Sequence, residues 1–333
     1  MSVNRYAVIG SNCFTGSHIV DKILQSDPVA EIYGISRSRE YKPMFLPYQQ
    51  KKSERNFKFY QINLYQDHDQ LISLLDDIQP TFIINVAALS EVGLSNFQPV
   101  EYFQTNTLGV IQLCNALRER NYLGRYIHVS TAEVYGNCAE PVSEDASLNP
   151  STPYAVSKAA ADMYLLTLFR NFNFPLNLVR STNVYGAHQQ LYKIIPRSII
   201  YLRIGKKIEL HGGGKAVKTW VHIRDVAEGV WLILQKGKSG ETYHFSDINS
   251  CTVSDLVLKI CVLLGTEFKE NTTVVGERLG QDAQYLLSYD KAMNKLGWKP
   301  QISFEEGLEE TIGWIDKNWD KIESESHLYV HKV

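Results

Sequence analysis

Short apolar runs rich in β-branched and aromatic residues alternate with longer amphipathic stretches through the first half of this chain. Tyr6–Ile9, Glu31–Ile35, Phe57–Ile62 and Phe82–Val86 have the length and composition of strands, whereas Ser17–Gln25 and Gln70–Asp77 space their apolar residues as helices do. The pattern continues with a helix over Asn106–Arg120, a strand over Tyr126–Ser130, a long helix over Tyr154–Phe169 and a strand over Leu176–Arg180. Strands alternating with helices of this length predict βαβ units, and therefore an α/β fold with a doubly wound parallel sheet covered by helices on both faces. After Gly186 the rhythm changes. A helix-like Lys193–Ile204, the cluster Gly212-Gly213-Gly214, a return segment Thr219–Leu234 and a last strand near Thr242–Ser246 follow. Residues 1–186 with about 219–247 are expected to form the main lobe, and about 187–218 with 248–333 a smaller α/β lobe. No internal repeat, low-complexity tract or long linker interrupts this plan.

Composition narrows the picture. With 333 residues, 44% hydrophobic and 21% charged, the chain has the make-up of a soluble globular protein with a large core. A formal net charge of −2 speaks for neither a nucleic-acid nor a membrane-surface partner. The start, Met1 to Tyr6, runs straight into the first strand without a signal-peptide pattern, so the cytoplasm is the expected compartment. Five cysteines, Cys13, Cys114, Cys138, Cys251 and Cys261, have no metal-ligand or Cys-x-x-Cys spacing and read as reduced thiols. No histidine has zinc-ligand spacing, and no metal is expected. Lys51-Lys52-Ser53-Glu54-Arg55 reads as a solvated loop.

Candidate chemistry gathers in four places. Tyr154 and Lys158 stand four residues apart on the expected long helix, which puts a phenol and an ammonium on one face about 5–6 Å apart. There the lysine charge is expected to favour the tyrosinate and bring the phenol into the range of acid–base work. Gly10-Ser11-Asn12-Cys13-Phe14-Thr15-Gly16 joins the first strand to the first helix, a place where backbone N–H groups suit an anion. The run Ser130-Thr131-Ala132-Glu133-Val134-Tyr135-Gly136 follows a strand, and Arg180-Ser181-Thr182-Asn183-Val184-Tyr185-Gly186 follows another.

In this order and with these spacings, the motifs resemble the extended short-chain dehydrogenase/reductase family, and within it the nucleotide-sugar 4,6-dehydratases of the dTDP-glucose and GDP-mannose type. The resemblance runs from about Tyr6 to about Trp314. It implies a Rossmann lobe that binds a nicotinamide dinucleotide and a smaller lobe that binds a nucleotide sugar. Gly10, Asn12, Cys13, Phe14, Thr15 and Gly16 would hold the pyrophosphate, with Cys13 where the family has a third glycine. Ser36 and Arg37 end the second strand without the acid that binds a ribose 2′-hydroxyl, which points to NADP before NAD. Asn63-Leu64 would lie beside adenine, Ala87-Ala88 against the ribose and pyrophosphate, and Asn106 would support the site. Thr131, Tyr154 and Lys158 would form the Ser/Thr-Tyr-Lys triad, with Lys158 also holding the nicotinamide ribose. Glu133 matches the family's base for the C5 hydrogen, which is acidified by a 4-ketone. On the substrate side Asn183, Lys193, Lys218 and Arg278 would meet the diphosphate, His211 the nucleobase, and Ser90 the sugar hydroxyls.

The implied reaction is C4 oxidation, loss of water across C5–C6 and hydride return to C6, giving a 4-keto-6-deoxy sugar. Ala132 departs from the pattern, because the dTDP-glucose enzymes carry there an aspartic acid that protonates the departing hydroxyl. Proton delivery then falls to Glu133, Tyr154 or water. A 4-epimerase or decarboxylase of the same family is the first alternative and a non-catalytic dinucleotide sensor the second; the intact triad speaks against the latter. Relatives also pair their equivalents of Asn106–Arg120 and Tyr154–Phe169 between subunits, so a homodimer is expected.

Overall fold

The computed structural model describes residues 3–53, 56–277 and 284–329. Its strands, in chain order, are β1 (Arg5–Ile9), β2 (Glu31–Ser36), β3 (Phe57–Gln61), β4 (Phe82–Asn85), β5 (Arg125–Val129), β6 (Leu176–Ser181), β7 (Asn183–Tyr185), β8 (Ile208–His211), β9 (Val217–His222), β10 (Thr242–Phe245), β11 (Ser250–Thr252) and β12 (Thr272–Val275). Seven of them form one sheet in the order β10-β6-β5-β4-β1-β2-β3, and every pair in it is parallel. Strands covered on both faces can be apolar throughout, and β1 is buried from Tyr6 to Ile9. Two apolar layers flank the sheet. One packs helices Phe14–Ser26 and Ile223–Lys236 through Ile19, Ile23, Val226 and Val230, and the other packs Gly109–Leu117 and Pro153–Phe172 through Val110, Leu113, Ala161 and Leu165.

Strand order reverses between β1 and β4, and the crevice at the carboxyl ends of strands at such a reversal is where ligands bind in open parallel sheets. Beyond Gly186, β9 pairs with β7 and β11 in a three-stranded sheet, and β8 with β12 in a two-stranded one. Helices Ile194–Arg203, Val253–Leu263 and Phe304–Lys317 pack there around Ile195, Ile199, Leu256, Leu308 and Trp314. Among the described residues, no helix is long and apolar enough to cross a membrane.

Local signals explain where elements start, and some depart from the sequence pattern. The first helix begins at Phe14 rather than Ser17, because the Cys13 thiol accepts the Gly16 N–H at 3.2 Å and caps the helix. The long helix begins at Pro153, where Thr152 Oγ1 accepts the Ala155 N–H at 3.1 Å, and it ends at Phe172 with Asn173 left-handed at φ 54°. The helix expected over Asn106–Arg120 instead starts at Pro99, passes through a π-helical turn over Gln104–Leu108 and resumes as Gly109–Leu117. A π turn rotates one residue inward, and here that residue is Asn106. The return segment Thr219–Leu234 divides into β9, which belongs to the smaller sheet, and the helix Ile223–Lys236, which returns to the main one.

Candidate active site

A cleft of about 640 Å³ opens at the strand reversal and is lined from both lobes. At one end lies the turn after β1. Gly10 has φ +92°, and a Cβ on it would lie 2.6 Å from Ala87 N; a Cβ on Gly16 would lie 2.2 Å from the Gly10 carbonyl oxygen. Both positions therefore demand glycine, and they bring the start of the helix close against β1 and β4. Phe14 and Thr15, whose N–H groups belong to the helix's unpaired first turn, line the cleft with Gly10, Asn12 and Cys13. Burial pushes the Cys13 thiol up to about 11, so it stands there as a neutral cap. This is a cradle that fits a dinucleotide pyrophosphate.

Ser36, Arg37, Asn63, Leu64, Ala87, Ala88 and Ser90 also line the cleft. Ser36 Oγ accepts the Asn12 N–H at 3.0 Å, which ties the end of β2 to the turn after β1. Asn63 Oδ1 likewise accepts the Tyr65 and Gln66 N–H groups at 2.9 and 3.1 Å. Asn106 is fully buried and does not line the cleft. It accepts from Leu89 N at 2.8 Å and donates to Leu89 O and Ser157 Oγ, both at 3.0 Å, so it holds the strand-end loop against the long helix.

Thr131, Tyr154 and Lys158 meet at the inner end of the cleft. Thr131 ends the loop after β5 and caps a short 3₁₀ turn through the Glu133 N–H at 3.2 Å. Tyr154 is pushed well above the usual phenol range by burial first and by the Glu133 charge second, while a hydrogen bond with Thr131 works the other way. The expected lowering by Lys158 is not seen. The four-residue spacing does put both side chains on one face, but the Lys158 ammonium is drawn to Val129 O at 2.9 Å and His128 Nε2 at 3.0 Å. Burial lowers Lys158 itself to about 8. Behind these residues Asp162 Oδ2 accepts from Ser130 Oγ at 2.9 Å and from Arg180 Nε at 3.0 Å, and Arg180 also reaches the Tyr135 hydroxyl.

The substrate side is more dispersed. Lys193 lines the cleft, but its ammonium lies 3.5 Å from Glu91, an ion pair that bridges the two lobes. Asn183 and Lys218 come together just outside the lining. Tyr285 OH donates to Asn183 Oδ1 at 2.9 Å, and the Lys218 ammonium sits 4.3 Å from the centre of the Tyr285 ring. His211 is half-buried on β8, where its Nδ1 lies 3.1 Å from Gly276 O, and does not line the cleft. Glu133 stands beside Tyr154 rather than in the lining itself. Arg278 lies outside the described residues. The sequence reading missed Tyr41, Lys42, Gln190, Tyr192 and Tyr329, which also line the cleft, and His128, which holds Lys158. Of these only Tyr192 carried a signal, as the neighbour of Lys193. Tyr329 meets Tyr192 edge to face at 5.0 Å, a contact across more than a hundred residues that no local pattern announces.

The family model for GDP-mannose 4,6 dehydratase matches residues 8–311. The mouse dTDP-D-glucose 4,6-dehydratase is 30% identical over 322 residues, 95% of this chain and 89% of its own, and the Shigella flexneri dTDP-glucose 4,6-dehydratase is 31% identical over 74% of this chain and 75% of its own. Among solved structures, the Bacillus anthracis dTDP-glucose 4,6-dehydratase in complex with NAD superposes with a TM-score of 0.87 at 28% identity, covering 96% of this chain and 98% of its own. The UDP-glucose 4-epimerase of Thermotoga maritima superposes nearly as well, with a TM-score of 0.85 at 25% identity over 95% of this chain and 99% of its own, so the fold by itself does not separate the two reactions. The family match spans most of the chain and covers the glycine turn, the triad and Glu133: this protein belongs to the GDP-mannose 4,6-dehydratase family of extended short-chain dehydrogenases/reductases.

Proposed function

We propose that the protein is a nucleotide-sugar 4,6-dehydratase that makes a 4-keto-6-deoxy sugar. What carries this reading is Glu133, two residues after the cleft-lining Thr131 and near enough for its charge to raise the cleft-lining Tyr154, together with the dinucleotide cradle in the same cleft. Besides a hydride acceptor, oxidation at C4 asks of the protein only a hydroxyl donor and a phenol, and Thr131 and Tyr154 supply both. A 4-epimerase needs nothing more, whereas dehydration needs a carboxylate that can reach C5. The nicotinamide dinucleotide, when bound, supplies reversible hydride acceptance. Lys158 holds its ammonium at the same end of the cleft, where it orients a ribose and adds positive charge near the phenol.

In this reading Tyr154, once its own phenol proton has passed to solvent, takes as the tyrosinate the proton of the sugar 4-hydroxyl, and Thr131 steadies the same oxygen. Glu133 then takes the C5 proton, made acidic by the 4-ketone, and the C6 hydroxyl leaves as water. Because Ala132 offers no acid, Glu133 returns the proton it has taken to the departing oxygen, so the carboxylate ends the step as it began. Lys193 exchanges Glu91 for a substrate phosphate, with Asn183, Lys218 and Arg278 completing the diphosphate site and Ser90 and His211 meeting sugar and base.

For the cofactor we propose NAD. The solved relatives carry NAD in their structures, and this outweighs Ser36 and Arg37 as features for a 2′-phosphate. The division into a dinucleotide lobe (1–186 with about 219–247) and a sugar-nucleotide lobe, a cytoplasmic setting and a homodimer belong to the same proposal. Incubation with a panel of nucleotide sugars, followed by mass spectrometry, tests the reading. One member should lose one water; a substrate that changes configuration without losing mass establishes the epimerase, and one that loses carbon dioxide the decarboxylase.

A further inference from the structure

His128 is buried at the centre of the main sheet, and nothing in the chemistry described so far uses it. It lies on β5 with its ring near-parallel to that of Tyr126 at 6.4 Å. Its Nε2 is 3.0 Å from the Lys158 ammonium, and its Nδ1 is buried with no hydrogen-bond partner. An ammonium has three N–H donors and no acceptor. One of the three goes to Val129 O at 2.9 Å and a second to His128 Nε2, so the third is left for the cleft that Lys158 lines.

From this geometry we propose that His128 is a positioning residue: as a neutral Nδ1–H tautomer it accepts from Lys158, fixes the ammonium on two scaffold acceptors and aims its third N–H at the dinucleotide ribose.

The surroundings suit that role. Burial, and then the Lys158 charge, hold His128 well below the usual imidazole range, so the ring stays an acceptor across the working pH range. The groups facing the pair are few. Tyr126 lies on the same strand with Cys114 near its hydroxyl, Tyr154 stands one helical turn before Lys158, Asp162 faces Lys158 one turn later, and Arg180 on β6 already pairs with Asp162. Among the described residues Lys158 forms no ion pair, Asp162 acting on it only through its charge, and the neutral His128 acceptor is what keeps its ammonium in place. Leaving Nδ1–H unpaired is a cost, and a ring that only filled space would not incur it.

The proposal rests on Lys158 serving the dinucleotide, and the deciding measurements do not need turnover. The pH dependence of NAD binding is compared by calorimetry for the unmodified protein, His128→Phe, which keeps the ring, and His128→Gln, which returns an acceptor near Nε2. Binding should weaken as pH rises past about 8, where Lys158 loses its proton. In His128→Phe that midpoint should fall by about one pH unit or more and binding should weaken about ten- to a hundredfold, as expected for losing one hydrogen bond to a charged group. His128→Gln should restore both. Superimposable profiles for the unmodified and phenylalanine proteins overturn the proposal. Should the phenylalanine variant fail to fold, nitrogen spectra of the unmodified protein labelled with [15N]histidine decide instead. The Nδ1–H tautomer is expected, and an Nε2–H tautomer overturns the assignment. A protein that meets these expectations yet removes water from no nucleotide sugar keeps the His128 assignment and loses the dehydratase reading.

Discussion

Glu133 is the residue on which the reaction turns. Its carboxylate adds to burial in raising the Tyr154 phenol above its usual range. With Ala132 beside it, the same carboxylate serves as both base and acid in the elimination proposed here. Glu133→Gln should leave NAD reduction on addition of substrate intact, so that reduced cofactor accumulates, while dehydration falls by about 10²–10⁴-fold and solvent deuterium no longer enters at C5. Absorbance at the reduced-nicotinamide band and mass spectrometry read the two halves separately. A glutamine variant that dehydrates at the normal rate removes Glu133 from the mechanism and puts the epimerase or decarboxylase forward.

The long helix Pro153–Phe172 is the element that assembles the site. Over two turns it presents Tyr154, Lys158 and Asp162, each four residues after the last, so one helical face carries the phenol, the ammonium and the buried carboxylate. Asp162 and Arg180 are almost completely removed from water and lie 2.9 Å apart, and they tie that helix to the Ser130 loop and to β6. Breaking a buried pair by removing one partner leaves an unmatched charge, at a cost of about 3–5 kcal/mol. Asp162→Ala should therefore lower the unfolding free energy by an amount in that range, read as a lower urea midpoint at an unchanged denaturant slope. A change within a few tenths of a kcal/mol would mean that Arg180 finds another partner and that the pair is not what anchors the helix. The π turn has a similar tertiary role, since it turns Asn106 inward to hold Leu89 and Ser157, which no strand or helix pattern would have specified.

For the whole molecule, several exposed apolar residues lie on two adjacent helical runs. Val156 and Met163, seven residues apart on the long helix, are 39% and 60% exposed, and Val100 and Leu108 on the neighbouring helical run are 67% and 44% exposed. An apolar helical face left open to water fits pairing with a second copy. Light scattering coupled to gel filtration should give twice the mass of one chain, and Met163→Glu should bring it down to one. A single-chain mass for the unmodified protein removes the dimer from the proposal.

Alternating apolar runs with a glycine turn after the first of them were enough to predict the parallel sheet and the strand-to-helix turn at its strand reversal. These are local features, set by strand and helix periods and by backbone conformations that only glycine adopts, as at Gly10 with φ +92°. Contacts between residues far apart in the chain decided the rest. Ser36 points to the Asn12 N–H, Lys193 pairs with Glu91 from the other lobe, Tyr285 gathers Asn183 and Lys218, and His128 draws Lys158 away from Tyr154. Sequence determines which donors and acceptors a chain carries, but burial leaves each of them a choice of partners that only packing makes. That is why the chemistry at the head of the cleft was legible in the sequence, and the geometry that tunes it was not.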